Sequence, residues 1–120
     1  MFSKVVSLLA LGALVLTATA FGGSQLRSAT TNVAVTAGKP SELRFTLSRK
    51  SVPKGTVVFK VTNRGTSKHD FKIGGKKTPL LLPAKSATLK VTLAKAGRYR
   101  FLCTVPGHAL AGMKGVVRVT

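Results

Sequence analysis

The stretch Cys103-Thr-Val-Pro-Gly-His108-Ala-Leu-Ala-Gly-Met113 holds the only cysteine of the chain, one of its two histidines and one of its two methionines. The spacing is Cys-x4-His-x4-Met, so a thiolate, an imidazole and a thioether share one loop. A mononuclear copper electron-transfer site uses such donors, with two imidazoles and a thiolate in a trigonal plane and a weak axial thioether. The second imidazole has one source, because His69 is the only other histidine. The candidate metal ligands are therefore His69, Cys103, His108 and Met113, and the candidate cofactor is one copper ion cycling between Cu(I) and Cu(II). Met113 is the least constrained of the four, since other groups can take a weak axial position.

Taken singly, each residue has an ordinary reading. A lone buried cysteine is most often an inert core thiol. His69 could be a hydrogen-bonded residue at a strand end, His108 a loop residue and Met113 core filler. Their joint occurrence at this spacing favours the metal. The remaining composition does not resemble that of a hydrolase. Glu42 and Asp70 are the only carboxylates, so paired general acids and bases are absent. The chain does not read as an enzyme. Gly74-Gly75-Lys76-Lys77-Thr78 lacks the glycine spacing and following helix of a phosphate loop and reads as a turn.

These residues need rigid elements to hold them, and the pattern after Thr30 is of short runs with period two. Val33 and Val35 lie in a run from Thr31 to Ala37. Leu43, Phe45 and Leu47 alternate with polar residues from Glu42 to Ser48. Val52-Pro53-Lys54-Gly55 reads as a turn. Val57, Phe59 and Val61 share one face of a run from Thr56 to Asn63. His69, Phe71 and Ile73 share a phase in a short strand from His69 to Ile73. Ala87, Leu89, Val91 and Leu93 alternate between Ser86 and Ala94. Tyr99, Phe101 and Cys103 share a face from Arg98 to Cys103, with Arg98 and Arg100 opposite. Val116, Val117 and Val119 lie in a last run from Gly115 to Thr120. About eight strands with turns between them and no convincing helix imply an all-β sandwich or barrel. The strand phase turns the sulfur of Cys103 and the ring of His69 inward. Pro106, Gly107 and Gly112 let the loop turn tightly and bring His108 and Met113 back to the same spot.

Length and charge set the setting. The 120 residues allow one domain. Lys4, the apolar run Val5 to Leu16 and the small residues Thr17-Ala18-Thr19-Ala20 read as a signal peptide over residues 1–20, cleaved after Ala20. An uncleaved membrane anchor is the alternative, which the shortness of the run disfavours. Residues 21–30 read as a flexible lead-in and 31–120 as the folded domain. The expected location is periplasmic or otherwise extracytoplasmic. A single cysteine cannot close an internal disulfide, and binding a metal would protect it in an oxidising compartment. Lys and Arg number 20 against 2 Asp and Glu, a formal net charge of +18. Such a field favours anionic partners. The leader and the core-like placement of most phenylalanines argue against nucleic acid. An acidic redox protein or an anionic membrane or envelope surface fits better, met by a monomer.

Residues 52–120 resemble the cupredoxins, the group of small blue copper proteins that includes plastocyanin, azurin and auracyanin. The likeness rests on Val57-Val-Phe-Lys-Val-Thr-Asn-Arg-Gly-Thr-Ser-Lys-His-Asp-Phe71 before the first histidine. It rests equally on Gly97-Arg-Tyr-Arg-Phe-Leu-Cys-Thr-Val-Pro-Gly-His-Ala-Leu-Ala-Gly-Met-Lys-Gly115. The resemblance implies a Greek-key β-sandwich, one type 1 copper and single-electron transfer. It makes His69, Cys103 and His108 equatorial and Met113 axial. Many members carry Asn after the first histidine, where this chain has Asp70. The family pattern would bond that side chain to Thr104. Two other functions share these features: copper binding or delivery without a redox circuit, and a basic β-sandwich module that binds acidic envelope polymers.

Overall fold

Alternation of apolar and polar side chains decides which face each strand buries. In the computed structural model, which describes residues 30–120, nine strands form two packed sheets. The first sheet has the order β2 (Phe45–Leu47), β1 (Thr31–Ala37), β4 (Gly55–Asn63), β7 (Ser86–Leu93). Strand β1 buries Val33, Val35 and Ala37, β4 buries Val57, Phe59 and Val61, and β7 buries Leu89, Val91 and Leu93. The second sheet has the order β3 (Ser51–Val52), β9 (Lys114–Val119), β8 (Gly97–Leu102), β5 (Lys72–Ile73), β6 (Lys76–Lys77). Strand β1 runs parallel to β4 and β3 parallel to β9, and the other pairs are antiparallel. The chain passes repeatedly between the sheets, and their apolar faces meet in one core. This is the all-β Greek-key sandwich expected from the sequence.

The strand limits differ from the sequence reading in several places, among them the expected run Glu42–Ser48, which shortens to β2 (Phe45–Leu47) and leaves Glu42 in the loop before it. Ser51–Val52 is a short strand on β9, where a turn was expected at Val52. Val52 is 1% exposed, so burial of its side chain outweighs the turn signal of Pro53 and Gly55. Lys76–Lys77 pairs with Lys72–Ile73 around the Gly74-Gly75 turn, making a ninth strand. The expected strand over His69–Ile73 shortens to Lys72–Ile73, with His69 held by one isolated bridge to Leu81. The segment leaves the sheet early because His69 and Asp70 both turn to partners outside it. Among the described residues, no helix is long and apolar enough to cross a membrane. The leader and most of the lead-in lie outside the described residues.

An aromatic cluster links the core to the candidate ligands. The Phe71 ring lies 5.3 Å from Phe45, 5.3 Å from Phe59 and 5.5 Å from Phe101, centroid to centroid. Phe71 follows His69 by two positions and Phe101 precedes Cys103 by two. The same packed rings therefore fix both chain segments that carry buried ligand candidates. Removing such a ring typically costs about 3–5 kcal/mol, and here it would also loosen the site.

Candidate metal centre

Each candidate residue is positioned by backbone bonds rather than by long regular strands. The His69 N–H donates to the Leu81 carbonyl at 3.1 Å, and the Leu81 N–H returns the bond at 2.7 Å. Two residues on, Phe71 exchanges bonds with Thr78 through its N–H and its carbonyl. Cys103 leaves β8 directly, and its N–H donates to the Met113 carbonyl at 3.1 Å, closing the loop at its base. Val105-Pro106-Gly107-His108 forms a tight turn, with the His108 N–H on the Val105 carbonyl at 3.0 Å. Gly107 has φ +83°, the left-handed value that the third position of a type II turn requires after proline. Bonds from Ala111 N–H to Gly107 and from Met113 N–H to His108, both 3.0 Å, wind the rest of the loop back to the strand. Arg44, just before β2, straps the loop by donating from Nη1 to the Ala111 carbonyl at 3.0 Å.

The result is a convergence of three donor atoms. Nδ1 of His69 and Nδ1 of His108 lie 3.2 Å apart. The Cys103 sulfur lies 3.9 Å from the first and 3.6 Å from the second. Among the described residues these form the one group of three or more metal-ligating side chains, all within 4.8 Å of one another. Met113 is fully buried and packs in a small cluster with Cys103 and Ala37, bordered by Leu43, Phe45 and Val105. All four candidates thus meet at one end of the sandwich. His69 and Cys103 are buried, while His108 is half-buried beside Leu110, which is 91% exposed. Burial pushes the Cys103 thiol above its usual pKa, and the nearby Asp70 charge adds to the effect. A neutral thiol in such a pocket loses its proton when a cation takes its place. The donor set, one soft thiolate and two imidazoles, with Met113 packed in the same cluster as Cys103, fits copper in both oxidation states.

Asp70 crosses to the ligand loop, as the family pattern implied. Its Oδ1 accepts the Thr104 N–H at 2.5 Å, and its Oδ2 accepts the Thr104 hydroxyl. Asp70 is 4% exposed and, among the described residues, has no ion pair with Lys68 or Lys72. The carboxylate ties the His69 segment to the Cys103 segment. Replacing Asp70 with alanine strands the Thr104 donors and should cost about 1–3 kcal/mol. Thermal melting and the rate of copper loss to a chelator measure the link. Unchanged values for both would show that it contributes nothing.

Glu42 belongs to the site, although the sequence marks it only as the other carboxylate of the chain. Its Oε1 lies 2.7 Å from Nε2 of His69. The same carboxylate accepts the backbone N–H of Thr66 at 2.9 Å and of Ser67 at 2.9 Å. These two backbone bonds, and then His69, hold its pKa down at about 2 against the opposing effect of burial. Folding lowers this pKa, so the contribution of Glu42 to stability is complete above the usual 4.5 and is lost as the pH falls towards 2. Twenty-seven residues separate Glu42 from His69, and no local pattern signals a contact across that distance.

Comparison with known proteins agrees with this geometry. A family model, the cupredoxin-like domain, matches residues 7–119. The copper-resistant cuproprotein CopI of Pseudomonas aeruginosa is 50% identical over 40 residues, 33% of this chain and 22% of that protein. The chain thus spans only about a fifth of that curated relative. Dithionite-reduced auracyanin from the photosynthetic bacterium Roseiflexus castenholzii is 28% identical, with a TM-score of 0.57 over 76% of this chain and 96% of that one. Rusticyanin from Thiobacillus ferrooxidans shares the fold, with a TM-score of 0.66 at 23% identity over 76% of this chain and 77% of that one. With the family model covering nearly its whole length and the thiolate–imidazole cluster in place, the chain belongs to the cupredoxin-like domain family, and its cofactor is one copper ion.

Proposed function

We propose that this protein is an exported single-electron carrier whose copper would be held by His69, Cys103 and His108 and, more weakly, by Met113. The observation that carries the reading is the convergence of two Nδ1 atoms and one sulfur within 4.8 Å, beside the buried cluster of Cys103 and Met113. A bound copper ion supplies one-electron exchange at that point. The chain's own residues supply the rest. Buried His69, Cys103 and Met113 exclude water and hold a geometry that need not rearrange between charge states. The turn at Pro106-Gly107 and the Arg44 strap keep His108 in place. His108 is the ligand candidate nearest solvent, so its ring edge is the contact through which a redox partner exchanges the electron. Val105, Pro106, Ala109, Leu110 and Ala111 surround that edge as an apolar docking rim.

Charge selects the partner. The outer face of the second sheet carries Lys72, Lys77, Arg98, Arg100, Lys114 and Arg118, with Arg98 directly opposite Arg118 and Lys72 opposite Lys77. Like charges placed opposite each other weaken a sheet, and both carboxylates of the chain are engaged at the metal centre. An acidic redox protein would relieve this repulsion. Residues 1–20 act as a cleaved leader that delivers the domain of residues 31–120 outside the cytoplasm.

The decisive experiment is the absorption spectrum of the copper-loaded domain. A strong visible band from the thiolate–copper bond is expected, and a colourless Cu(II) complex of the folded protein would sink the assignment. In the same assay Met113→Leu should keep the colour and raise the reduction potential, because a donor that helps stabilise the oxidised ion is lost. A lowered potential would remove Met113 from the axis. The likeness to a copper-resistant cuproprotein supports a second reading, copper handling without a redox circuit. Fast electron self-exchange favours the carrier, and ready release of metal to an acceptor favours the second reading.

A further inference from the structure

We propose that Glu42 is a positioning residue of the copper centre: it holds His69 in one tautomer and places a fixed negative charge behind that ligand. The proposal rests on the copper assignment above for its redox half and on the metal-free geometry for its structural half. A carboxylate only accepts hydrogen bonds, so the 2.7 Å contact puts the proton of His69 on Nε2. Nδ1 is then left with a free lone pair, aimed at Cys103 and His108. A ligand histidine whose outer N–H is held by a carboxylate is oriented and made more basic.

The surroundings are built to hold Glu42 there. Its two oxygens are clamped by the N–H groups of Thr66 and Ser67, three and two positions before His69. Gly65 gives the carboxylate room, because a Cβ at that position would sit 2.5 Å from Oε1 and 2.8 Å from Oε2. Asn63, fully buried at the end of β4, fixes the loop by donating to the carbonyls of Ser67 and Leu81, both at 2.8 Å. Leu81 is also the bridge partner of His69. One loop therefore sets both the backbone of His69 and the group behind its ring. The chain has only two carboxylates against 20 cationic side chains, and both bond to residues of this centre. A negative charge beside His69 favours the oxidised over the reduced ion, against the pull of the cationic surface.

Glu42→Gln separates charge from shape. The amide oxygen can still accept from His69 and Ser67, but the charge is gone. The midpoint potential of the copper protein should rise by at least the equivalent of a tenfold change in relative affinity for the two oxidation states, about 59 mV for a one-electron couple. The visible band should persist. A purely structural role would lower the melting temperature and leave the potential unmoved, and that result, or a fall in potential, overturns the redox half. The second measurement needs no metal. Long-range nitrogen–proton correlation spectra of the metal-free wild type should show His69 protonated on Nε2, and Glu42→Ala should abolish that preference. A wild-type His69 protonated on Nδ1 would overturn the structural half, whether or not the glutamine variant folds. If the wild type binds copper without colour, the copper assignment fails by itself, and the nitrogen spectra still decide the role of Glu42.

Discussion

Cys103→Ser should remove the visible band of the copper-loaded protein altogether and leave the metal-free fold standing. Cys103 is 1% exposed, and its sulfur is the only soft anionic donor available. Serine has nearly the same shape, but its hydroxyl does not ionise near neutral pH, so the thiolate–copper bond cannot form. Burying a poorly paired hydroxyl costs roughly 1–3 kcal/mol, which the sandwich core can absorb. The larger loss concerns the metal. A ligand that binds only the folded state at a thousandfold excess over its Kd stabilises by about 4.1 kcal/mol. Each kcal/mol corresponds to roughly 4–8 °C in a domain of this size. Copper should therefore raise the melting temperature of the wild type by tens of degrees, and Cys103→Ser should erase most of that gain. Paired melts with and without copper, alongside spectra, provide the measurement. A serine variant that stays blue, or that keeps the full copper-dependent gain, would place the strong donor elsewhere.

The parts of the site read from the sequence are those set by local pattern. Cys103, His108 and Met113 sit on one loop, so spacing alone brings them together. Period-two runs exposed the inward phase of Phe71 and Phe101, and with it the inward aim of His69 and Cys103. The fold class followed from the same alternation in β1, β4 and β7. Short pairings were harder to see. Lys76–Lys77 pairs because the Gly74-Gly75 turn returns the chain onto β5, and a two-residue strand leaves no periodic signal. Glu42 escaped for a different reason. Its contacts with Thr66, Ser67 and His69 join segments brought side by side only by packing of the loops before β2 and after β4. A lone carboxylate at the edge of a β-type run carries no mark of such a partner. Asp70 was legible because it adjoins His69 in sequence and the resemblance assigned it a partner beside Cys103.

Electron transfer to an anionic partner should be fast at low salt and fall steeply as salt rises. The chain carries a formal +18, and exposed charges act over only about 8 Å at physiological ionic strength. Electrostatic steering can raise association rates by roughly 10–1,000-fold, so screening should remove an effect of that order. Two kinds of substitution separate encounter from docking. Lys76→Glu with Lys77→Glu changes two exposed cations on β6 and should slow the encounter, with a shallower salt dependence. Leu110→Glu changes the most exposed of the large apolar side chains in the ligand loop. It should slow transfer within the complex by spoiling close approach to His108, and that loss should persist at high salt. Stopped-flow rates across a salt series distinguish the two, because one changes the slope and the other the plateau. Rates that rise with salt, or ignore it, would mean that the cations of the second sheet serve adhesion to an anionic surface instead of electron delivery.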